Sequence, residues 1–299
     1  MTYEHPLAYV LGLEGMALMR AFTGEHGREF VEERIAEIRA LLADESLAEA
    51  GVEVARVDTV EGYRIWSRTY DGPNSTFDYD EPLVHAIIDG LPAGVALDAA
   101  CGTGRFAAAL AERGHRVIGV DSSPDMLALA RERVPEGDFR LGDLRGLPVP
   151  DDTADLVVCS LALTHAPSLD PVLAEFARVL RPGGHVVIAD IHPAGVARGV
   201  VPNLRLPDGR PARVATYHHP IGDYVRAALR AGLRVRRCEE PAMQAPAPPV
   251  PRATPPDGPT APGPWELWPW VLVELAPEAA RAAVEGVPAI VVWHFQLAP

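Results

Sequence analysis

The stretch from Val95 to Leu144 decides the fold, and it opens with V-A-L-D-A-A-C-G-T-G-R-F. It continues with R-V-I-G-V-D-S-S-P-D-M-L and closes with F-R-L-G-D-L. Each of these three pieces contains a short apolar run, which predicts a buried strand, and each leads into an acidic residue: Asp98, Asp121 and Asp143. A turn with Gly102 and Gly104 follows the first strand. This order predicts a site for a nucleoside-bearing ligand at the carboxyl ends of parallel strands.

Two cofactors compete for that site. Residues 102–107 read G-T-G-R-F-A and match the dinucleotide pattern G-x-G-x-x-A, with Asp121 lying 19 residues after Gly102. A pyrophosphate at this turn would lie beside Asp98, and two like charges about 4 Å apart repel by roughly 4 kcal/mol at an effective dielectric constant near 20. A ligand with an ammonium and a sulfonium group and no phosphate would be attracted instead. The charge pattern therefore favours S-adenosylmethionine (SAM) over NAD(P).

The same three pieces resemble the first three motifs of the class I SAM-dependent methyltransferases of the small-molecule type, and the similarity extends from about residue 63 to residue 193. The resemblance implies an α/β fold, with a Rossmann-like sheet of seven mostly parallel strands whose last strand is antiparallel. It also implies that the methionine part of SAM lies against Asp98, Ala99, Gly102 and Gly104, the ribose against Asp121, and the ribose and adenine borders against Ser122, Met126, Gly142, Asp143 and Leu144.

An aromatic segment precedes the first strand and contains Tyr63, Trp66 and Tyr70, followed by Asp71. It resembles the Y-x-x-W-x-x-x-Y-D segments that fold over the methionine end of SAM in many small-molecule methyltransferases. Aromatic rings attract a sulfonium as they attract a quaternary ammonium. A core helix with aromatic residues at i, i+3 and i+7 is the simpler structural interpretation, and the two are compatible. We therefore predict that these rings contribute to the cofactor site.

The remaining residues predict a helical module and a cofactor-binding domain. Residues 1–60 form an N-terminal helical extension with two apolar-striped helices, and residues 61–299 form the Rossmann-like domain. The N-terminal helices would cover a face of the core, form a homodimer contact or cap the substrate pocket. Residues 241–264 are rich in proline and predict an extended surface loop. Residues 265–286 predict a helix broken at Pro277, before the last strand.

Composition and charge exclude several classes of function. The chain of 299 residues carries a formal net charge of −14 and no clustered basic patch, which argues against nucleic acid as a partner. No apolar run approaches the roughly 20 residues that span a bilayer, so no membrane is expected either. The three cysteines lack C-x-x-C spacing and the N-terminus lacks a signal-peptide pattern, which predicts a cytoplasmic location. No histidines have zinc-ligand spacing, so no metal site is predicted.

The chemistry expected of this site is methyl transfer to an oxygen or nitrogen atom of a small-molecule acceptor. The acceptor must be held in line with the methyl group and must lose its proton if it has one. Ser160 stands at a strand end that faces the cleft, and the candidate bases or acceptor-pocket residues are His165, His192, His218 and His219. The same motifs would suit a cyclase, pericyclase or lyase that binds SAM without methylating. An NAD(P)-dependent oxidoreductase is the least favoured alternative.

Overall fold

The structure is a computed structural model, and it describes residues 1–67, 69–72, 75–243 and 265–299. Two compact units divide the chain. The larger comprises Val57–Val201, Val214–Pro241 and Pro288–Pro299, and the smaller comprises Met1–Arg56, Pro202–Arg213 and Ala242–Val287. The predicted proline-rich loop lies outside the described residues, apart from residues 241–243. No helix within the described ranges is long and apolar enough to cross a membrane.

Eleven strands and eleven helices make up the described regular structure, with four short 3-10 turns at Ala21–Thr23, Leu163–His165, Trp265–Leu267 and Leu272–Leu275. The strands are β1 (Thr2–Glu4), β2 (Val52–Val57), β3 (Val95–Ala99), β4 (Arg116–Asp121), β5 (Asp138–Leu141), β6 (Ala154–Ser160), β7 (Leu180–Ile191), β8 (Asn203–Arg205), β9 (Pro211–Val214), β10 (Leu233–Glu239) and β11 (Ile290–Leu297). The helices are α1 (Pro6–Arg20), α2 (Arg28–Ala43), α3 (Glu45–Ala48), α4 (Thr59–Trp66), α5 (Ser75–Ile88), α6 (Arg105–Glu112), α7 (Pro124–Arg133), α8 (Asp170–Val179), α9 (Pro193–Val196), α10 (Ile221–Arg230) and α11 (Pro277–Val284).

Seven strands form the sheet of the larger unit, in the order β10-β11-β7-β6-β3-β4-β5. The strands from β7 to β5 are parallel, whereas β11 runs antiparallel to both of its neighbours. The predicted Rossmann-like fold with an antiparallel last strand is therefore confirmed. The chain proceeds from β3 to β5 on one side and then returns to β6 on the other, so the strand order reverses between β3 and β6. Ligands of open α/β sheets bind beside such a reversal.

Apolar side chains cover both faces of this sheet. One cluster includes Phe176 of α8 and Tyr224 of α10, and the other includes Ile88 of α5 and Phe106 of α6. All five residues of β3 are buried, which explains why this strand reads as a continuous apolar run and does not alternate. Burial on both faces holds the carboxyl ends of the central strands at one edge, where the acidic residues emerge.

The turn between β3 and α6 requires its two glycines. Gly102 and Gly104 have φ angles of 53° and 82°, in the left-handed region that side chains disfavour. A Cβ atom at Gly104 would also lie 3.1 Å from the Cα atom of Ala130, in α7. Glycine at this position therefore allows α6 to begin close against α7.

The smaller unit is built from three separate stretches of the chain. Its sheet has the order β1-β2-β9-β8, and its core contains Leu13, Leu47, Trp265 and Trp268. The indole nitrogen of Trp265 donates to the carbonyl of Leu204 at 3.2 Å. The predicted extension, residues 1–60, contains two helices and then a segment that alternates like a strand, and the smaller unit combines these with later residues. The reason is that the N-terminal helices bury their apolar faces against side chains that arrive from residues 265–283.

The segment that begins at Trp265 differs from the predicted helix. Two 3-10 turns lead to α11, and α11 begins at Pro277. Proline lacks the N–H that a helix interior needs, but the first turn has no intrahelical acceptor for that N–H. Pro277 therefore starts a helix here and does not interrupt one.

Candidate active site

A cleft of about 140 Å³ opens in the larger unit at the carboxyl ends of β3, β4, β5 and β6. It lies beside the reversal of strand order. The predicted site residues that line it are Tyr63, Tyr70, Gly102, Asp121, Ser122, Gly142, Asp143, Leu144, Ser160 and His165. Ala100, within the predicted backbone from Ala99 to Gly104, also lines it. The sequence interpretation missed the other lining residues, which are Thr59, Val120, Arg145, Leu161, Ala162, Ala166 and Pro167. Six of these eighteen residues end β6 or follow it, so the loop after the fourth strand of the domain contributes more than its motifs indicated.

Asp121 stands at the end of β4 and is fixed by the backbone. One carboxylate oxygen accepts the N–H of Gly102 at 2.8 Å, and the other accepts the N–H of Ser123 at 2.8 Å. Burial raises the pKa of Asp121, and these backbone hydrogen bonds oppose part of that rise. Each carboxylate oxygen has a second lone pair, so both can still accept a hydroxyl. The geometry suits a carboxylate that binds the two hydroxyls of a ribose.

Asp143 follows β5 and pairs with Arg145, which the sequence interpretation did not include. The guanidinium of Arg145 donates to both carboxylate oxygens, at 2.8 and 2.7 Å, and the backbone N–H of Arg145 donates at 2.8 Å. This pairing lowers the pKa of Asp143. The side chains of both residues are about half exposed at the cleft mouth. Asp143 therefore stays ionised, and a nucleobase that donates to its carboxylate oxygens would compete with Arg145 for them.

Three rings form an aromatic wall at the other end of the cleft: Tyr63, Trp66 and Tyr70. Their centroids are 5.8 to 6.0 Å apart, with tilted or edge-to-face geometry. A Cβ atom at Gly102 would lie 4.0 Å from the Tyr70 ring, so this ring covers the glycine turn. Tyr63 and Tyr70 line the cleft, whereas Trp66 packs behind them. Such a wall suits a cation without hydrogen-bond donors.

His165 is joined to the aromatic wall and has a defined tautomer. Its Nδ1 atom lies 2.8 Å from the carbonyl oxygen of Ala215, and its Nε2 atom lies 2.9 Å from the Tyr63 hydroxyl. A carbonyl can only accept, so Nδ1 carries the proton and Nε2 accepts from Tyr63. Burial lowers the pKa of His165. Asp190 fixes the 3-10 turn that carries this histidine, because its carboxylate accepts the Thr164 N–H at 2.8 Å.

A model of the methyltransferase domain family matches residues 97–188, which contain β3, the glycine turn and the strands that border the cleft. This stretch is less than a third of the chain, and it is similar to the class I SAM-dependent methyltransferases. SAM is the cofactor of this family, and the cleft fits it. A buried carboxylate is available for the ribose, a second carboxylate stands at the adenine end, and uncharged rings cover the turn where the sulfonium would lie.

The chain is similar to an arsenite methyltransferase of Halobacterium salinarum, with 32% identity over 193 residues that cover 56% of this chain and 48% of that relative. It is also similar to a malonyl-[acyl-carrier protein] O-methyltransferase of Serratia marcescens, with 41% identity over 95 residues that cover 32% of this chain and 37% of that relative. The match thus spans less than half the length of either relative. A methyltransferase of Haloferax volcanii, in complex with the activator Trm112, has a TM-score of 0.53 at 21% identity and covers 81% of this chain and 98% of that one. This last likeness shows a shared fold.

Several predicted cofactor residues lie outside the cleft. Asp98 is only 2% exposed, beneath the glycine turn, and its Oδ2 atom has no hydrogen-bond partner within the described part of the chain. Burial raises the pKa of Asp98 to about 7. Ala99 and Met126 are buried in the core, and Gly104 faces α7. A strand-end position in sequence therefore did not ensure access to the cleft, because the turn folds back over the tip of β3.

Three of the four predicted histidines also lie outside the cleft. His192 accepts the N–H of Ala194 through Nδ1 at 3.1 Å and contacts Glu240 through Nε2 at 2.8 Å, so it caps α9. His219 is buried and donates to the carbonyl of Ala166 at 2.8 Å. His218 is exposed and does not line the cleft. His165 is the predicted histidine that lies in the cleft.

Ser160 lines the cleft but takes part in a hydrogen-bond network behind it. Its hydroxyl donates to the buried carboxylate of Asp80 at 2.5 Å, and Arg105 donates to the same carboxylate at 2.6 and 3.0 Å. This network ties β6 to α5 and α6, so Ser160 serves the framework of the site. Within the described ranges, no three His, Cys, Asp or Glu side chains are grouped to hold a metal ion.

Proposed function

We propose that the protein transfers a methyl group from SAM to an oxygen or nitrogen atom of a small-molecule acceptor. The observation that carries this proposal is that His165 and the aromatic wall face the same cleft as Asp121. A cofactor held by its ribose at Asp121 would extend towards the rings, and an acceptor beside it would meet a histidine. The apolar residues Leu161, Ala162 and Pro167 line this part of the cleft and suit a small acceptor with apolar surface.

The proposed chemistry is an in-line displacement, for which SAM supplies a methyl group on a positively charged sulfur. Residues of the chain have three roles in this reaction. Asp121 and Asp143 orient the nucleoside, the aromatic wall stabilises positive charge without donating hydrogen bonds, and His165 accepts a proton. Its low pKa and its donor bond to Ala215 keep Nε2 unprotonated at neutral pH, as a general base requires. Tyr63, which now donates to Nε2, would relay the acceptor's proton or give way to the acceptor hydroxyl.

The first experiment measures SAM binding by isothermal titration calorimetry in the wild-type protein and in Asp121→Ala. Hydrogen bonds to a charged group contribute about 1.5–3 kcal/mol, so the Kd should rise about 10- to 150-fold. Asp138→Ala is the matched control, since Asp138 lies at the amino end of the neighbouring strand β5 and pairs with Arg140 on the surface. Equal SAM affinity in Asp121→Ala and the control would contradict the assignment of the ribose site.

The second experiment measures turnover with methyl-labelled SAM and a low-molecular-mass cell extract. The proposal expects labelled small molecules and the release of S-adenosylhomocysteine. Substrate consumption without loss of the SAM methyl group would identify a SAM-binding cyclase, pericyclase or lyase instead. Tight NADH binding without SAM binding would identify an oxidoreductase.

A further inference from the structure

A pair of histidines, His185 on β7 and His294 on β11, lies on the sheet of the larger unit, away from the cleft. The Nδ1 atom of His185 lies 2.9 Å from the Nε2 atom of His294, and the ring centroids are 5.0 Å apart. In the sheet, His185 is the register partner of Leu156, near the amino end of β6, whereas the cleft opens at the carboxyl end of that strand. Both histidines are half-buried. This histidine pair is therefore separate from the cofactor site.

Arginines of the edge strand β10 border the histidine pair. The register partners of Arg234 and Arg237 are Gln296 and His294 of β11. Register partners on antiparallel strands share one face of a sheet, so both arginines belong to the face that carries the pair. A bulge places Arg236 between two register positions, and its charge acts on both histidines. Three cationic side chains therefore lie beside two imidazole rings.

Two of these arginines are available to a ligand. Arg237 donates to Oε1 of Glu239 at 2.7 Å. Arg234 and Arg236 are exposed, and neither forms a hydrogen bond or an ion pair with any residue that the structure describes. Charged side chains and bulges protect an edge strand from pairing with another chain. That role does not require histidines on the two neighbouring strands, so protection of the edge accounts for only part of this arrangement.

The local charge favours an anion over a metal cation. Burial and the positive charge of Arg236 lower the pKa of His185. Burial, His185 and the arginines Arg236 and Arg237 lower the pKa of His294 to about 4. A positive field that opposes protonation of these rings also repels a metal ion and attracts an anion. In a hydrogen-bonded pair of neutral imidazoles, the accepting ring carries its own N–H on its other nitrogen, where it can donate to a ligand.

We propose that Arg234, Arg236 and the histidine pair form a second ligand site, which binds the phosphate group of a small phosphomonoester. A guanidinium presents parallel N–H donors that match two oxygens of a phosphate, and an imidazole N–H can donate to a third. The inference goes beyond the proposed function and does not depend on it, because the site lies apart from the cofactor cleft. SAM binding and phosphate binding can therefore succeed or fail separately.

The test is NMR spectroscopy of the full chain at neutral pH, in which the ring signals of His185 and His294 are followed as inorganic phosphate or glycerol 3-phosphate is added. Sodium chloride at the same ionic strength is the blank. Both rings should show a saturable shift. In Arg234→Gln and in Arg236→Gln the Kd should rise about two- to fivefold, the range expected for an exposed ion pair. The matched control is Arg116→Gln, since Arg116 is exposed on β4, which β7, β6 and β3 separate from β11.

A second measurement needs no ligand. Loss of the neighbouring positive charge in Arg236→Gln should raise the titration midpoint of His294, whereas Arg116→Gln should leave it unchanged. An unchanged midpoint in Arg236→Gln would show that this arginine does not act on the pair and would overturn the inference.

The remaining outcomes also decide. Saturable shifts that weaken in both β10 variants, but not in Arg116→Gln, support the site. Shifts no larger than those in sodium chloride would overturn it, as would a Kd that neither β10 variant changes. Binding of Zn²⁺ that His294→Gln abolishes, without a response to phosphate, would identify a metal site instead. Binding to phosphatidic acid vesicles without a response to glycerol 3-phosphate would likewise refute a site for soluble phosphomonoesters. If Arg236→Gln does not fold, as judged by circular dichroism, Arg234→Gln decides.

Discussion

Replacing Asp98 by asparagine should stabilise the protein much more near pH 8 than near pH 5. Asp98 is buried beneath the glycine turn, one of its oxygens has no hydrogen-bond partner within the described residues, and burial raises its pKa to about 7. The ordinary value for an aspartate is 3.8. An acid with a raised pKa in the folded state favours folding in its protonated form. The protein therefore loses stability as the pH rises from about 4 to about 7. Above pH 7 the folded state bears the whole free-energy cost of an ionised, buried Asp98.

The magnitude follows from the pKa values. One pKa unit corresponds to about 1.4 kcal/mol, so ionised Asp98 destabilises the fold by roughly 4 kcal/mol at alkaline pH. Near pH 5 the unfolded chain has already lost the proton, and about a third of that cost is present. The stability difference between Asp98→Asn and the wild-type protein should therefore grow by about 3 kcal/mol from pH 5 to pH 8. The amide of the new asparagine also lacks a hydrogen-bond partner, but its cost in stability is the same at both pH values and cancels in this comparison.

The assay is urea denaturation of both proteins at several pH values, followed by circular dichroism. Asp89→Asn is the control, because Asp89 is exposed and its pKa is lowered by Arg113, so its stability difference should not grow with pH in the same direction. If the difference between Asp98→Asn and the wild-type protein is the same at pH 5 and pH 8, the carboxyl of Asp98 is not protonated in the fold and our account of the turn is wrong.

Two further predictions concern the turn and the histidine. Gly104→Ala should destabilise the protein by more than the 1–2 kcal/mol that a left-handed conformation costs, because the new Cβ would meet Ala130. Gly114→Ala is the matched control, with a φ of 80° and no contact below 3.9 Å, and equal losses in urea denaturation would exclude crowding. By nitrogen NMR, His165 should carry its proton on Nδ1 and titrate below pH 6.5, and the Nδ1–H tautomer should persist in Tyr63→Phe. A titration midpoint at or above 6.5, or an Nε2–H tautomer, would contradict the general-base assignment.

Local patterns were sufficient to predict the sheet and the position of the cleft. The three short runs that lead to Asp98, Asp121 and Asp143 became β3, β4 and β5. The interior strands β3 and β4 are mostly apolar because they are covered on both faces, whereas the edge strand β5 buries only Phe139. The glycine turn was predicted for the same local reason, since the positive φ angles of Gly102 and Gly104 exclude most other residues. These features depend on neighbours within about 20 residues of chain.

The tertiary structure decided which polar side chains reach the cleft. His165 and His192 both follow strands, and no local signal separates them. The first is held in the cleft by Ala215 and Tyr63, whereas the second is withdrawn to Glu240. Asp98 lies one residue before the end of β3 and is buried, whereas Asp121 ends β4 and lines the cleft.

The sequence by itself predicted the three strands that lead to acidic residues, the glycine turn and the resemblance to a family that binds SAM, because backbone conformation and burial are local demands on residue type. Only the tertiary structure decided three other features: the smaller unit built from three stretches of chain, the hydrogen bonds among Asp71, Thr103 and Arg133, and the tautomer of His165. Each depends on hydrogen bonds or packing between residues that are tens to hundreds of positions apart. No pattern within one segment specifies such a partner, since partners are chosen by the path of the whole backbone.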